Sequence, residues 1–218
     1  MSVCGRYRNG GILIFRAVAI CGLGAEGWIE HLNAPGTEVW SLNSAHEVLR
    51  QVKFHRYFEL HRRAYLQQYE ESAFTARIAW MRTLKRHDVP VYTWEIWPEC
   101  KTNRLYPKAE VEALTPHGRY HLSSIDWMIA AAILWGYETI RLYGIRFEPG
   151  SEPIGARACA EYWLGVAEAR GIGVEVFGNN CDLFQTTQLL RSHKQYGVEN
   201  VHLIEHVDDL PKKDQRVG

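Results

Sequence analysis

Apolar positions along this chain fall into two rhythms. Short runs rich in β-branched and aromatic residues occur at 11–21, 37–43, 54–60, 89–97, 139–144 and 172–178. Runs of this length, bounded by glycine, proline or asparagine, predict six strands. Between them the spacing turns helical. Tyr65, Tyr69, Phe74, Ile78 and Met81 mark a predicted helix over 61–85, and shorter helices are predicted over 45–52, 124–135 and 157–170. Residues 99–122 carry Pro107 and Pro116 and little periodicity, and read as a connection with one short helix. A further helix is expected over 184–196.

The stretch SSIDWMIAAAILWGYETIRLYGIRF (123–147) is the most informative. Ser123 and Asp126 have capping-box spacing, three alanines permit close packing, Gly136 stops the helix, and a buried strand ends at Gly144. Strands alternating with helices, with few hairpin signals, predict an α/β sandwich with a mostly parallel sheet of about six strands. In such sheets ligands sit beyond the carboxyl ends of the strands, where strand order reverses. The candidate chemistry is therefore sought just after each predicted strand.

The chain of 218 residues is long enough for one sizeable domain, placed at 1–198, with a charged tail at 199–218. Apolar residues at 46% and charged residues at 23% are ordinary for a globular protein. A formal net charge of zero argues against an overall grip on nucleic acid or an anionic membrane. A local exception is the series Arg50, Lys53, Arg56, Arg62, Arg63, Arg77, Arg82, Lys85 and Arg86, interleaved with aromatics. It reads either as a solvated helix face or as a stripe for DNA phosphates.

Five scattered cysteines without a CxxC pair suggest neither a disulfide framework nor a thiolate zinc site, and a cytoplasmic setting is expected. The opening apolar run is interrupted by Arg16 and is too short to span a bilayer, so no membrane partner is expected. HExxH, Walker A and GxSxG patterns are absent. His202 and His206 stand four apart in the tail, but their context reads as surface histidines, and no metal ligands are assigned.

After the first strand, Gly22, Gly24 and Gly27 spell GxGxxG, which reads as a phosphate loop or as a tight turn. The acidic residue that dinucleotide binding needs about twenty positions later has only Glu47 to fill it, inside a predicted helix, so that class is disfavoured. After the second strand, Asn43 is placed to meet a nucleoside or to cap a helix. Glu59 and His61 follow the third, two apart, as an acid and the base it orients or as a structural pair. Arg146 and Glu148 follow the fifth, suited to neutralising phosphate and to holding a metal or a proton, or to a surface salt bridge. Ser123 and Ser124 at a helix start point donors toward the same crevice. Asn179, Asn180 and Asp182 follow the sixth strand and read as turn formers.

Together, CGLGAEG, SLN and the 123–147 block resemble a Rossmann-like, three-layer family. It includes archaeal 6-hydroxymethylpterin diphosphokinases and flagellin-modification accessory proteins; small phage-type proteins resemble the chain more closely still, and the sialyltransferases of glycosyltransferase family 42 more distantly. The resemblance implies that Gly22, Gly24 and Asn43 contact a nucleotide or nucleotide sugar, with Ser123 and Ser124 near its phosphate or sugar; the loop from Gly22 to Gly27 would hold the phosphate. Two departures stand out: Ala25-Glu26 occupies the place of a small hydroxyl residue, and Arg146 that of an aspartate. The expected function is a nucleotide-dependent transferase, foremost a glycosyltransferase, with Glu59 or His61 as base, Arg146 on the leaving diphosphate, and modified DNA as a candidate acceptor through the Arg50–Arg86 series. The alternatives are an ATP- and Mg2+-dependent diphosphokinase using Glu148 and Asp182, and a non-enzymatic accessory protein. A homo-oligomer is compatible with each.

Overall fold

The computed structural model describes residues 6–8, 11–13, 16–33, 35–84, 88–147, 155–177 and 183. Seven parallel strands form the central sheet: β3 (Ala17–Cys21), β4 (Thr37–Leu42), β5 (Arg56–Glu59), β6 (Val91–Thr93), β7 (Asn103–Leu105), β8 (Thr139–Tyr143) and β9 (Gly173–Phe177). Their order is β7-β6-β5-β4-β3-β8-β9, so the chain winds outward from β3 in one direction and, from β8, in the other. The switch lies between β3 and β8, which run in register from Ala17↔Thr139 to Cys21↔Tyr143.

The central strands β3, β4 and β5 are buried on both faces, as crossover helices require. On β3, Val18 and Ile20 point into one core and Ala19 and Cys21 into another. The first face is covered by α5 (Lys108–Glu112), α6 (Ser124–Leu134) and α7 (Ala156–Ala169). The opposite face is covered by α1 (Ile29–Leu32), α2 (Ala45–Val48), α3 (Arg63–Tyr69) and α4 (Glu71–Leu84). This is the Rossmann-like α/β sandwich that the alternating pattern predicts.

Helix α6 follows its local signals closely. The Ser123 side chain accepts from the Asp126 backbone while the Asp126 carboxylate accepts from the Ser123 N–H at 2.7 Å, a complete capping box. At the other end Gly136 takes φ +74°; its N–H reaches the Ile133 carbonyl and that of Tyr137 reaches Ala132, a Schellman closure. Ala130, Ala131 and Ala132 are fully buried, which lets the helix lie close to the sheet.

Several boundaries differ from expectation. The first predicted strand divides: Gly11–Leu13 (β2) pairs antiparallel with Arg6–Arg8 (β1) in a separate two-stranded sheet, and only 17–21 joins the main one. The predicted helix over 61–85 breaks at Glu70, whose backbone (φ −138°, ψ 51°) no glycine or proline announces. Strand β7 lies inside the stretch read as a connection and adds a seventh strand at the sheet edge, since three residues with two exposed carry no apolar pattern. The predicted 184–196 helix and the 199–218 tail lie outside the described residues. Among the described residues, no helix is long and apolar enough to cross a membrane.

Candidate active site at the carboxyl ends of the strands

A cleft of about 380 Å³ opens beyond the ends of β3, β4, β5 and β8, and its walls include Gly22, Asn43, His61, Glu70, Arg77 and Arg146. It lies at the topological switch, where a doubly wound sheet leaves room because neighbouring connections depart to opposite faces.

The loop after β3 takes the second of the two parts its glycines suggest, a tight turn. Gly144 takes φ +59°, and a Cβ there would stand 2.0 Å from the Gly24 carbonyl carbon. A Cβ on Gly22 would stand 2.6 Å from the Gly144 oxygen. Glycine is thus needed where the two switch-point loops cross. The N–H groups of Gly22, Gly24 and Ala25 donate to Tyr143, Gly144 and Gly22 carbonyls, so they are spent inside the protein. The turn continues as a 3₁₀ segment, Ala25–Trp28, and the four residues of α1, too short to offer much of a helix dipole. Gly27 is exposed, with nothing near its would-be Cβ. This loop forms the cleft floor and supports Arg146, whose Nε lies 2.8 Å from a would-be Gly24 Cβ.

Asn43 closes β4 at φ +46°, a left-handed conformation that asparagine tolerates better than most residues. Its N–H donates to the Phe58 carbonyl at 3.1 Å, and its own carbonyl accepts from the Tyr57 hydroxyl. Ser44, not Asn43, sits at the start of α2, without a side-chain cap. The strained turn is therefore pinned from β5, with Asn43 at the cleft wall.

The end of β5 carries the most developed chemistry. Glu59 is fully buried, its Oε1 accepting from the His61 N–H at 3.2 Å and standing 2.6 Å from His61 Nδ1. Its Oε2 lies 3.2 Å from Arg77 Nε, and Arg77 Nη2 lies 3.8 Å from Glu70. Arg77 Nη1 also stands 3.4 Å from the same Nδ1, but the carboxylate at 2.6 Å is the closer partner and favours the tautomer protonated there, which leaves Nε2 with a lone pair. His61 is half-exposed and lines the cleft, so the arrangement is that of an oriented base. Arg77, sixteen residues from His61, is the contribution that sequence reasoning missed.

Other candidates fall elsewhere. Ser123 is spent on its cap, its Oγ also donating to Asp126 at 2.9 Å, and neither it nor Ser124 is among the lining residues; Ile125 of the same helix is. Glu148, Asn179, Asn180, Cys181 and Asp182 lie outside the described residues. Cys21, Cys100 and Cys159 are buried, and burial raises each thiol, that of Cys159 to about 11, which keeps them protonated and unreactive.

The basic series does not form one solvent-facing stripe. Arg56 is buried against Glu38, Arg77 against Glu59, and Arg63 clasps Glu99 through Nη2 at 2.5 Å. Among the described residues no group of three His, Cys, Asp or Glu side chains that could hold a metal ion occurs, and Glu70 is the one carboxylate among the cleft's lining residues. Magnesium there would be held chiefly by phosphate oxygens and water.

No family model matches the chain, and neither does any curated protein. Solved structures do. The monofunctional alpha-2,3-sialyltransferase Cst-I from Campylobacter jejuni superposes with a TM-score of 0.54 at 16% identity, covering 79% of this chain and 78% of that one. The sialyltransferase CstII from the same organism, in complex with the substrate analogue cytidine-5'-monophosphate, gives 0.51 at 14% identity, covering 79% and 83%. CstII with the analogue CMP-3FNeuAc gives 0.51 at 18%, covering 76% and 81%. The chain therefore shares the fold of these nucleotide-sugar-using transferases over most of its length.

Proposed function

We propose that this protein transfers a glycosyl group from a nucleotide-activated sugar to an acceptor hydroxyl, in the cleft beyond β3, β4, β5 and β8. The observation that carries the reading is the Glu59–His61 pair: a buried carboxylate, balanced by Arg77, holds the Nδ1 side of a histidine that lines a ligand-sized cleft. His61 Nε2 takes the acceptor proton as the acceptor oxygen bonds to the anomeric carbon. The bond from that carbon to the phosphate oxygen breaks, and its electron pair stays with the departing nucleotide. Arg146 faces that developing charge, and Asn43 holds the nucleoside side of the donor. Arg77 is paired with two carboxylates, Glu59 and Glu70, and serves mainly to hold Glu59 in place. Fixed charges and orientation, rather than covalent chemistry, would supply the rate.

The shared fold with sialyltransferases solved with cytidine monophosphate supports a nucleotide in this place. DNA as acceptor has less behind it, because Arg56 and Arg77 are spent in buried pairs. The test is a thermal-shift screen of nucleoside monophosphates, nucleotide sugars and ATP, each with and without magnesium. A ligand at 100 times its Kd stabilises by about 2.7 kcal/mol. A rise with a nucleotide sugar, followed by release of its nucleotide on adding acceptor, is the expected result. A response confined to ATP with magnesium would turn the assignment to diphosphoryl transfer, and no response to any nucleotide would overturn it.

A further inference from the structure

A second cavity, of about 610 Å³, lies away from the cleft between the end of α5, the segment 115–121 and α7. Its size falls within the range of about 300–1,000 Å³ that takes a small ligand. The segment lining it has no regular structure, yet it is held at every step. A Cβ on Gly118 would stand 1.9 Å from the Glu112 carbonyl oxygen, so the chain lies directly on α5. Trp163 Nε1 donates to the Tyr120 carbonyl at 3.0 Å. The His121 ring is stacked between Trp127 (centroids 3.5 Å apart, 9° between planes) and Trp163 (4.8 Å, 17°), and its Nδ1 stands 2.8 Å from the buried Asp126 carboxylate.

What this anchoring presents outward is specific. Tyr120 is half-exposed, and its ring meets that of Tyr162 at 82° with centroids 5.5 Å apart. The Tyr162 hydroxyl is fixed by Thr115 at 2.9 Å. Beside the rings, the Glu112 carboxylate lies 3.4 Å from Arg119, whose side chain is 88% exposed, and 3.6 Å from Lys108. His117 completes the polar side. A phosphate ligand would meet the Glu112 carboxylate, and a wholly apolar one would have to strip water from Arg119 and Glu112. A neutral ring with apolar C–H faces and a fringe of hydroxyls suits both halves: the tyrosines take its faces, and planar carboxylate and guanidinium groups take its hydroxyls in pairs.

We infer that this cavity is a carbohydrate-binding site that takes a pyranose of a neutral glycan, separate from the transfer cleft. Its role as a docking point for the acceptor chain rests on the transferase reading; the binding itself does not.

The test is binding of the fluorescently labelled full-length protein to a printed glycan array without nucleotide. Wild type is expected to retain a set of neutral glycans. Arg119→Ala, fold-safe because the side chain is so exposed, and Tyr120→Ala, which keeps the backbone bond to Trp163, are each expected to weaken that signal tenfold or more. His61→Ala should bind the array as wild type does. Retention of no glycan, or equal retention by wild type and both variants, would overturn the inference. The nucleotide thermal shift of the same proteins reports the cleft independently, so a failed array with an intact shift leaves the transferase assignment standing.

Discussion

Strand β5 ends in a buried ion pair at both extremities, and the two pairs differ in what surrounds them. At its start Arg56 bonds to Glu38, both almost fully buried. Trp40 Nε1 and the Tyr137 hydroxyl donate to the same carboxylate at 3.2 and 2.5 Å, and Arg56 Nη1 donates to the Tyr92 hydroxyl at 2.6 Å. The guanidinium centre lies 4.5 Å from the Trp135 ring centroid. At its end, three residues on and therefore on the opposite face, Glu59 forms an ion pair with Arg77, but its other oxygen engages His61 beside a cleft. The first cluster closes on itself with aromatic donors, whereas the second hands its charge to a ring that meets solvent. A buried carboxylate–arginine pair is thus no mark of function; the titratable group it leaves at a cavity is.

Substitutions separate the two. The largest combined effect is expected from Glu59→Gln, which leaves buried Arg77 with only the more distant Glu70 and releases His61. We expect about 3 kcal/mol of lost stability in urea unfolding, together with a fall in nucleotide release of at least about 100-fold. Arg56→Met should cost about 3–5 kcal/mol by leaving Glu38 unpaired, with the turnover of the folded fraction unchanged. Adding Glu38→Gln should restore more than half of that loss. A drop in turnover with Arg56→Met would erase the distinction between the clusters. His61→Ala is the converse: nucleotide release falls by about 10²–10⁴-fold while stability stays within about 1 kcal/mol, because Glu59 keeps Arg77.

Smaller effects sharpen the cleft itself. Asn43→Gly suits the left-handed turn, so stability should move by no more than about 1 kcal/mol, while nucleotide affinity falls about tenfold through loss of the amide, read by calorimetric titration. The smallest effect is expected at Arg63–Glu99, near the cleft but outside it. The Arg63 hydrogen bond holds the Glu99 carboxyl below its ordinary value of 4.5. The folded-state value being depressed, its stabilisation is complete above about pH 4.5 and is lost as pH falls through the lower folded value. Glu99→Gln should flatten that part of the acid limb in thermal melts between pH 3 and 6, with no effect at pH 7 beyond loss of the pair.

Much of the architecture was legible because its causes are local. Six of the seven sheet strands announce themselves as β-branched and aromatic runs, and the Ser123 cap and Gly136 stop of α6 are spelled within a few residues of where they act. The exception, β7, pairs through its backbone and needs no apolar side chains. The site was legible in outline only. Asn43 and the Glu59–His61 spacing can be read at strand ends, and both residues that line the cleft stand where a parallel sheet places them. The glycines left a phosphate loop and a tight turn both open, and what requires Gly22 is a crossing with Gly144, more than a hundred residues away.

What the sequence alone determined is which segments form strands and helices, and hence that polar groups collect at one edge of a parallel sheet; propensity, alternation and capping act over a few bonds. Tertiary structure decided the rest: that Arg56 and Arg77 turn inward instead of joining a basic stripe, that the chain breaks at Glu70 to bring a carboxylate into the cleft, and that Ser123 spends its hydroxyl on its own helix. The reason is physical. A charged side chain is driven inward only when a partner from another element can replace its water, and no stretch of sequence names that partner.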